Sequence, residues 1–182
     1  DDPVEKHLPE LANMDVFVSE NEDGSWETEA ANHPMTVREL MSHTGGLLYT
    51  PPLSQGPIAE AYAKAGIMNL PNYTLAESIP ALKDIPLSYQ PGTQWVYSIS
   101  VDVQGYLVEK LSGQTFDEFL QERIFTPLDM VDTGFYVKPE NAERLARQYF
   151  PMQDGSLNRV DTGAFLSPPK FLSGGGGLTS TT

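Results

Sequence analysis

The sequence predicts an α+β fold that is mostly helical and carries small β-hairpins. Three T-x-x-E motifs, each followed by apolar residues at helical spacing, indicate helix starts at Thr36, Thr74 and Thr115. Two Asp-Gly pairs lie between β-prone runs, a pattern that is typical of hairpin turns. They predict hairpins over residues 15–30 and 146–161.

The region between these hairpins, residues 36–145, is predicted to be a helical subdomain within one domain fragment of residues 1–182. Gly66 and Gly113 stand just past the ends of two further helices, and Pro80 weakens the helix that begins at Thr74. Apolar periodicity places these and other helical segments at 4–11, 58–65, 101–111 and 139–145. In segment 101–111 it directs Val103, Leu107, Val108 and Leu111 inward.

Composition narrows the classes of partner. The chain has 182 residues with 11 Lys plus Arg, 25 Asp plus Glu and a formal net charge of -14. Because this charge repels phosphate groups, neither nucleic acid nor a membrane is expected as a partner. No apolar run approaches the ~18 residues of a membrane span. The start at Asp1 and the end at Thr182 are interpreted as cut edges of a longer sequence.

The search for a nucleophile finds one literal S-x-x-K, from Ser167 to Lys170. Its chemistry needs serine and lysine one helical turn apart, and Pro168-Pro169 between them makes a helix implausible. We therefore predict a loop without catalytic meaning. The chain has no cysteine, which excludes a cysteine nucleophile. It also has no G-x-S-x-G motif, so nothing in the sequence indicates the nucleophile of an α/β-hydrolase.

No metal and no cofactor is predicted. The three histidines, His7, His33 and His43, have no second ligand at short spacing. The glycine run from Gly174 to Gly177 lacks the Lys-Ser/Thr of a P-loop, so it predicts backbone that packs close to another element.

One tyrosine stands in a distinctive context. The stretch Gln90–Ser98, QPGTQWVYS, contains a Pro-Gly turn, a short extended run and then a helix start. On these residues alone, Tyr97 would most often be an amphipathic core residue with a satisfied hydroxyl.

Five segments together resemble the serine β-lactamase and penicillin-binding-protein superfamily, on its class C and family VIII carboxylesterase side. Their order and spacing match that family across nearly the whole chain. They are Asp1–Val4 with Leu8-Pro9, Met35–Leu47 (MTVRELMSHTGGL), Pro91–Ser98 (PGTQWVYS), Phe119–Leu128 (FLQERIFTPL) with Met130 and Thr133–Phe135, and Ser173–Leu178 (SGGGGL).

The resemblance implies the helical subdomain of the family fold with its bordering hairpins, and with most of the antiparallel sheet absent. The family's S-x-x-K helix and its K-T-G-like strand would both lie outside residues 1–182. Its reaction is acyl transfer through a seryl ester. Onto this chain only the tyrosine of the Y-x-N motif carries over, as catalytic Tyr97. An ordinary phenol titrates near ~10, so this role needs a neighbouring cation such as the absent lysine.

The third position of that motif is Ile99, where β-lactamases usually have Asn. Because isoleucine cannot hydrogen-bond to an amide, Ile99 is expected to act as a weak substrate-binding residue that favours an apolar acyl or alcohol group. Tyr-Ser-Ile is similar to family VIII esterase variants. His43 lies in a signature that the family shares and is interpreted as a structural turn residue.

The function that the resemblance implies is part of a bacterial serine hydrolase for small carboxylic esters, inactive as the isolated chain. A β-lactamase, a D-Ala peptidase or an acyl transferase would use the same residues. The alternative of another class is a non-catalytic peptide- or acyl-binding member, or an inert fragment. The expected partner is a small ester or lactam, in the bacterial cytoplasm or periplasm. Apolar surface left by the missing sheet favours self-association or swapping.

Overall fold

The computed structural model describes residues 1–68 and 71–181, and Asn69, Leu70 and Thr182 lie outside the described residues. The α-helices are α1 (Val37–Met41), α2 (Pro57–Lys64), α3 (Leu75–Ser78), α4 (Ser100–Ser112) and α5 (Phe116–Leu120). The strands are β1 (Val16–Glu20), β2 (Trp26–Glu29), β3 (Tyr149–Pro151) and β4 (Leu157–Arg159). A π-helical turn, Gln121–Phe125, extends α5.

Side-chain caps begin the helices that follow the T-x-x-E motifs. At α1 the Thr36 hydroxyl accepts a hydrogen bond from the Glu39 N–H at 3.2 Å, and the Glu39 carboxylate accepts one from the Thr36 N–H at 2.8 Å. The same reciprocal pair begins α3, and α5 begins at the third motif. These caps satisfy donors that the first helical turn leaves unpaired. The three predicted helix starts are confirmed.

Helix α4 directly follows the segment that carries Tyr97. It agrees with the predicted helix over 101–111, and Gly113 ends it in a left-handed conformation with φ 72°. Val103 and Leu107 are buried, but Leu111 is 63% exposed. The prediction that Leu111 points inward is wrong, because the packed part of this face ends at Leu107.

Three predicted helices that contain a proline form 3-10 turns in whole or in part, and the one predicted over 139–145 is the 3-10 turn Pro139–Arg144. Helix α3 changes after Ser78 into the 3-10 turn Ile79–Asp84, which has Pro80 in its first turn. Segment 4–11 forms the 3-10 turns Val4–Lys6 and Pro9–Leu11 rather than one helix. Leu8 separates them, because the residue before a proline is disfavoured in the helical region.

The β-structure of the described chain consists of two antiparallel hairpins, β1–β2 and β3–β4. The first begins at the pair Val16↔Glu29 and has an irregularity between Phe17 and Ser19. Strand β1 also pairs in parallel with the segment at Leu87, whose carbonyl accepts from the Phe17 N–H at 2.8 Å. The described residues are therefore α+β, mostly helical and without a large sheet, as predicted.

One apolar core joins the N-terminal turns to α1 through α4. Its fully buried members include Leu8, Leu40, Leu82 and Val103. The proposed subdomain limits of 36–145 stay a prediction. Within the described residues, no helix combines the length and apolarity that a membrane crossing requires.

Candidate active site

Tyr97 lies at the surface, in the segment that leads into α4. Its side chain is 50% exposed. A tyrosine with only a packing role would be buried with a satisfied hydroxyl. The phenol is instead accessible from outside the described chain.

Backbone hydrogen bonds fix this segment against the loop that follows α1. The Val96 N–H donates to the His43 carbonyl at 3.0 Å, and the Ile99 N–H donates to the Leu48 carbonyl at 3.1 Å. These two bonds flank Tyr97 in the sequence. The backbone that carries the phenol is therefore held on both sides.

The ring of His43 adds a third link to the same segment. His43 follows α1 in a left-handed conformation with φ 58°. Its Nδ1 accepts a hydrogen bond from the Ser98 N–H at 3.2 Å and lies 3.1 Å from the Ser98 Oγ. A ring nitrogen that accepts carries no proton, so the neutral ring is protonated on Nε2. Burial lowers the pKa of His43, which favours this neutral form.

Ser98 and His43 do not form a nucleophile and base. Ser98 is buried, and its Oγ lies 2.8 Å from the Oγ of the equally buried Ser100. A carbonyl carbon cannot reach a hydroxyl in that position. The pair acts as a structural link that fixes the start of α4.

Aromatic rings line the inner side of Tyr97. The ring centroids of His43 and Tyr49 each lie 5.1 Å from that of Tyr97. Trp95 meets the His43 ring edge-on at 6.1 Å and is itself 66% exposed. The surface beside the phenol is therefore largely apolar.

Two buried residues, Tyr49 and Asp102, belong to the interior side of the site. Tyr49 contacts the Tyr97 ring, and the charge of Asp102 acts on Tyr49. Burial, a hydrogen bond with the Tyr97 hydroxyl and the negative charge of Asp102 together raise the pKa of the Tyr49 phenol. Burial also raises the pKa of the Asp102 carboxyl, although hydrogen bonds from Ser173 and Gly175 oppose that effect. Tyr49 therefore keeps its proton at neutral pH.

The glycine run packs against the first turn of α4. The Ser173 Oγ donates to Asp102 Oδ1 at 2.7 Å. A Cβ on Gly174 would lie 2.4 Å from the Val101 carbonyl oxygen, and one on Gly175 would lie 3.0 Å from the Tyr49 hydroxyl. The prediction that this run packs close to another element is confirmed.

Ile99 lies in the interior of the described chain. Its side chain is fully buried in the apolar core. The direct substrate contact expected for Ile99 therefore needs correction, because α4 begins there and turns the side chain inward. What remains of the expectation is that this position presents no amide group beside Tyr97.

The literal S-x-x-K does not form a helical turn. Ser167, the first residue of the literal S-x-x-K, has extended backbone (φ -141°, ψ 151°), so the predicted loop is confirmed.

The described residues also form a cleft of about 1190 Å³ between α5, residues 131–148 and the C-terminal stretch. Tyr97 does not line this cleft. Among the described residues, no group of three or more histidines and carboxylates could hold a metal ion.

Three residues of this site were not found from the sequence: Tyr49, Ser98 and Asp102. Ser98 ends the stretch QPGTQWVYS without a feature that marks its contacts, and Asp102 resembles an ordinary acidic residue in the first turn of a helix. Their contacts reach residues 55 and 71 positions away in the chain. No local pattern reports such partners.

The helices and small hairpins of the described residues match part of the β-lactamase-like fold. The family model described as Beta-lactamase matches residues 1–182, and the chain belongs to this family.

Among its relatives, an uncharacterized protein of Mycobacterium tuberculosis is 35% identical over 182 residues, covering 99% of this chain and 44% of that protein. Lovastatin esterase of Penicillium rubens is 33% identical over 169 residues, covering 93% and 39%. The solved structure of a simvastatin synthase LovD6 mutant from Aspergillus terreus is 28% identical, with a TM-score of 0.76 over 100% of this chain and 42% of that one. The chain thus spans about two-fifths of the length of these proteins.

The lowered pKa of His43 predicts a pH-dependent stability. An unfolded histidine takes up its proton near ~6.5, before the folded ring does. The stability that neutral His43 contributes is therefore present above that pH and is lost as the pH falls below it. In His43→Asn, whose side chain tolerates positive φ and does not titrate, the melting temperature should fall less between pH 7.5 and 5.5. Equal falls in both proteins, measured by circular dichroism, would contradict this assignment.

Proposed function

We propose that this chain supplies Tyr97 as the proton-transfer residue of a serine hydrolase that acts on carboxylic esters. In this proposal the serine nucleophile and its lysine partner lie outside residues 1–182, and the isolated chain turns over no ester. The observation that carries the proposal is an exposed phenol on a fixed backbone in a chain of the Beta-lactamase family.

The reaction proceeds through a covalent intermediate. The serine oxygen attacks the ester carbonyl, and its proton passes to the lysine and tyrosine pair. Tyr97 then delivers a proton to the departing alcohol, which leaves a seryl ester. Water attacks that ester by the same proton route and releases the acid. This role requires an exposed hydroxyl in a stable position, and both properties support Tyr97.

The exposed Trp95 favours an ester over a lactam, because it adds an apolar surface beside the His43 ring that contacts Tyr97. Lovastatin esterase, a relative at 33% identity, carries an ester-cleaving activity in its name. An apolar acyl or alcohol group would match the aromatic side chains near Tyr97 better than a charged amide side chain.

Acyl transfer is the second candidate. The similarity to simvastatin synthase, with a TM-score of 0.76, favours an alcohol as the acceptor in place of water. Both reactions share the seryl ester and the role of Tyr97. They differ only in which hydroxyl reaches the intermediate.

Replacing Tyr97 tests the proposed role. In the complete protein, Tyr97→Phe should lower kcat/KM for p-nitrophenyl butyrate by about 10²- to 10⁴-fold, the range of general acid–base catalysis. Tyr149→Phe, which alters a similarly exposed tyrosine on β3, is the matched control and should keep full activity. Unchanged turnover in Tyr97→Phe would show that the role is wrong, whereas an unchanged protein without any turnover would favour a non-catalytic binding member.

Substrate preference tests the chemical class. We expect the complete protein to hydrolyse p-nitrophenyl butyrate with a higher kcat/KM than a chromogenic cephalosporin. Adding a primary alcohol and measuring the new ester by chromatography separates transfer from hydrolysis. A much faster cephalosporin reaction would overturn the preference for esters.

A further inference from the structure

Tyr49 has a geometry that its packing alone does not explain. It is only 4% exposed, although it carries a hydroxyl. Its ring lies 5.1 Å from the ring of Tyr97, and the two planes are tilted by 53°. Its hydroxyl faces Gly175, whose missing side chain leaves room for it.

We propose that Tyr49 is a positioning residue for Tyr97: its hydroxyl donates a hydrogen bond to the phenolic oxygen of Tyr97 and stabilises that oxygen when it loses its proton. This inference rests on the proposed role of Tyr97 and deepens it. Tyr49 itself touches no substrate.

The direction of the hydrogen bond follows from the charges around Tyr49. Its raised pKa means that Tyr49 stays protonated, so it can only donate to an ionised neighbour. The negative charge of the buried Asp102 carboxylate also opposes ionisation of Tyr49. Tyr49, the buried member of the pair, is therefore the one that keeps its proton.

The glycine run holds this arrangement in place. Asp102 Oδ1 accepts from the Ser173 hydroxyl at 2.7 Å and from the Gly175 N–H at 3.4 Å. A Cβ on Gly175 would lie 3.0 Å from the Tyr49 hydroxyl and 3.5 Å from Asp102 Oδ2. Gly176, by contrast, has no atom within 4 Å of the same position. A side chain at 175, but not at 176, therefore pushes on Tyr49.

In the proposed reaction only Tyr97 of the two tyrosines exchanges its proton. Tyr97 takes a proton from the nucleophile and passes it to the departing alcohol, whereas Tyr49 keeps its own proton throughout. A hydrogen bond to a charged oxygen stabilises it more than a bond to a neutral one. Without Tyr49, the ionised Tyr97 becomes harder to form, but substrate binding is untouched.

The kinetic test uses the complete protein with p-nitrophenyl butyrate. Tyr49→Phe keeps the ring, and should lower kcat about 10- to 100-fold with little change in KM. It should also move the acidic limb of the kcat/KM profile to higher pH by about one to two units. Gly175→Ala should change the profile in the same direction. Two matched controls, Gly176→Ala and the buried-tyrosine variant Tyr62→Phe, should leave it unchanged.

A second readout does not require turnover. With [¹³Cζ]tyrosine labelling, the Tyr97 resonance, assigned by its loss in Tyr97→Phe, reports the pH at which that ring ionises. This pH should be higher in Tyr49→Phe than in the unchanged protein. If it is the same, the inference is overturned, even where Tyr97→Phe abolishes activity. An active Tyr97→Phe variant would instead refute the catalytic role of Tyr97, and the change in its ionisation would then test only the hydrogen bond from Tyr49.

Discussion

The site depends on one set of contacts, the pairing of the loop after α1 with the segment that enters α4. Hydrogen bonds from Val96 to His43 and from Ile99 to Leu48 fix the backbone on both sides of Tyr97. The His43 ring adds a bond to the next residue after the phenol. An exposed side chain normally samples several rotamers, which costs free energy when it must adopt one. Here the backbone and the neighbouring rings reduce that freedom before a substrate arrives.

Local sequence signals correctly predicted where several helices of this chain begin and end. The T-x-x-E motifs gave the starts of α1, α3 and α5, since a cap involves only residues three positions apart. Gly113 marked the end of α4 for a similarly local reason. Errors arose where proline acted on its predecessor, as at Leu8, and where a helix extended past its packing partner, as at Leu111.

The polar interior of the site could not be predicted in the same way. Asp102 and Ser173 are 71 residues apart, and His43 and Ser98 are 55 apart. Such pairs form only after the chain has folded, and no periodicity marks them. Ile99 shows the converse error: the motif suggested a residue at the substrate, but the start of α4 directs its side chain into the core.

The proposed reaction requires the exposed Tyr97 phenol to meet a serine from polypeptide outside residues 1–182. The most direct measurement is a crystal structure of the complete protein after reaction with a fluorophosphonate, which marks a nucleophilic serine as a stable ester. If Tyr97 is the proton-transfer residue, we expect a modified serine whose Oγ lies within hydrogen-bond distance, about 2.6–3.2 Å, of the Tyr97 hydroxyl. A modified serine remote from Tyr97, or a protein that the reagent does not modify, would contradict it.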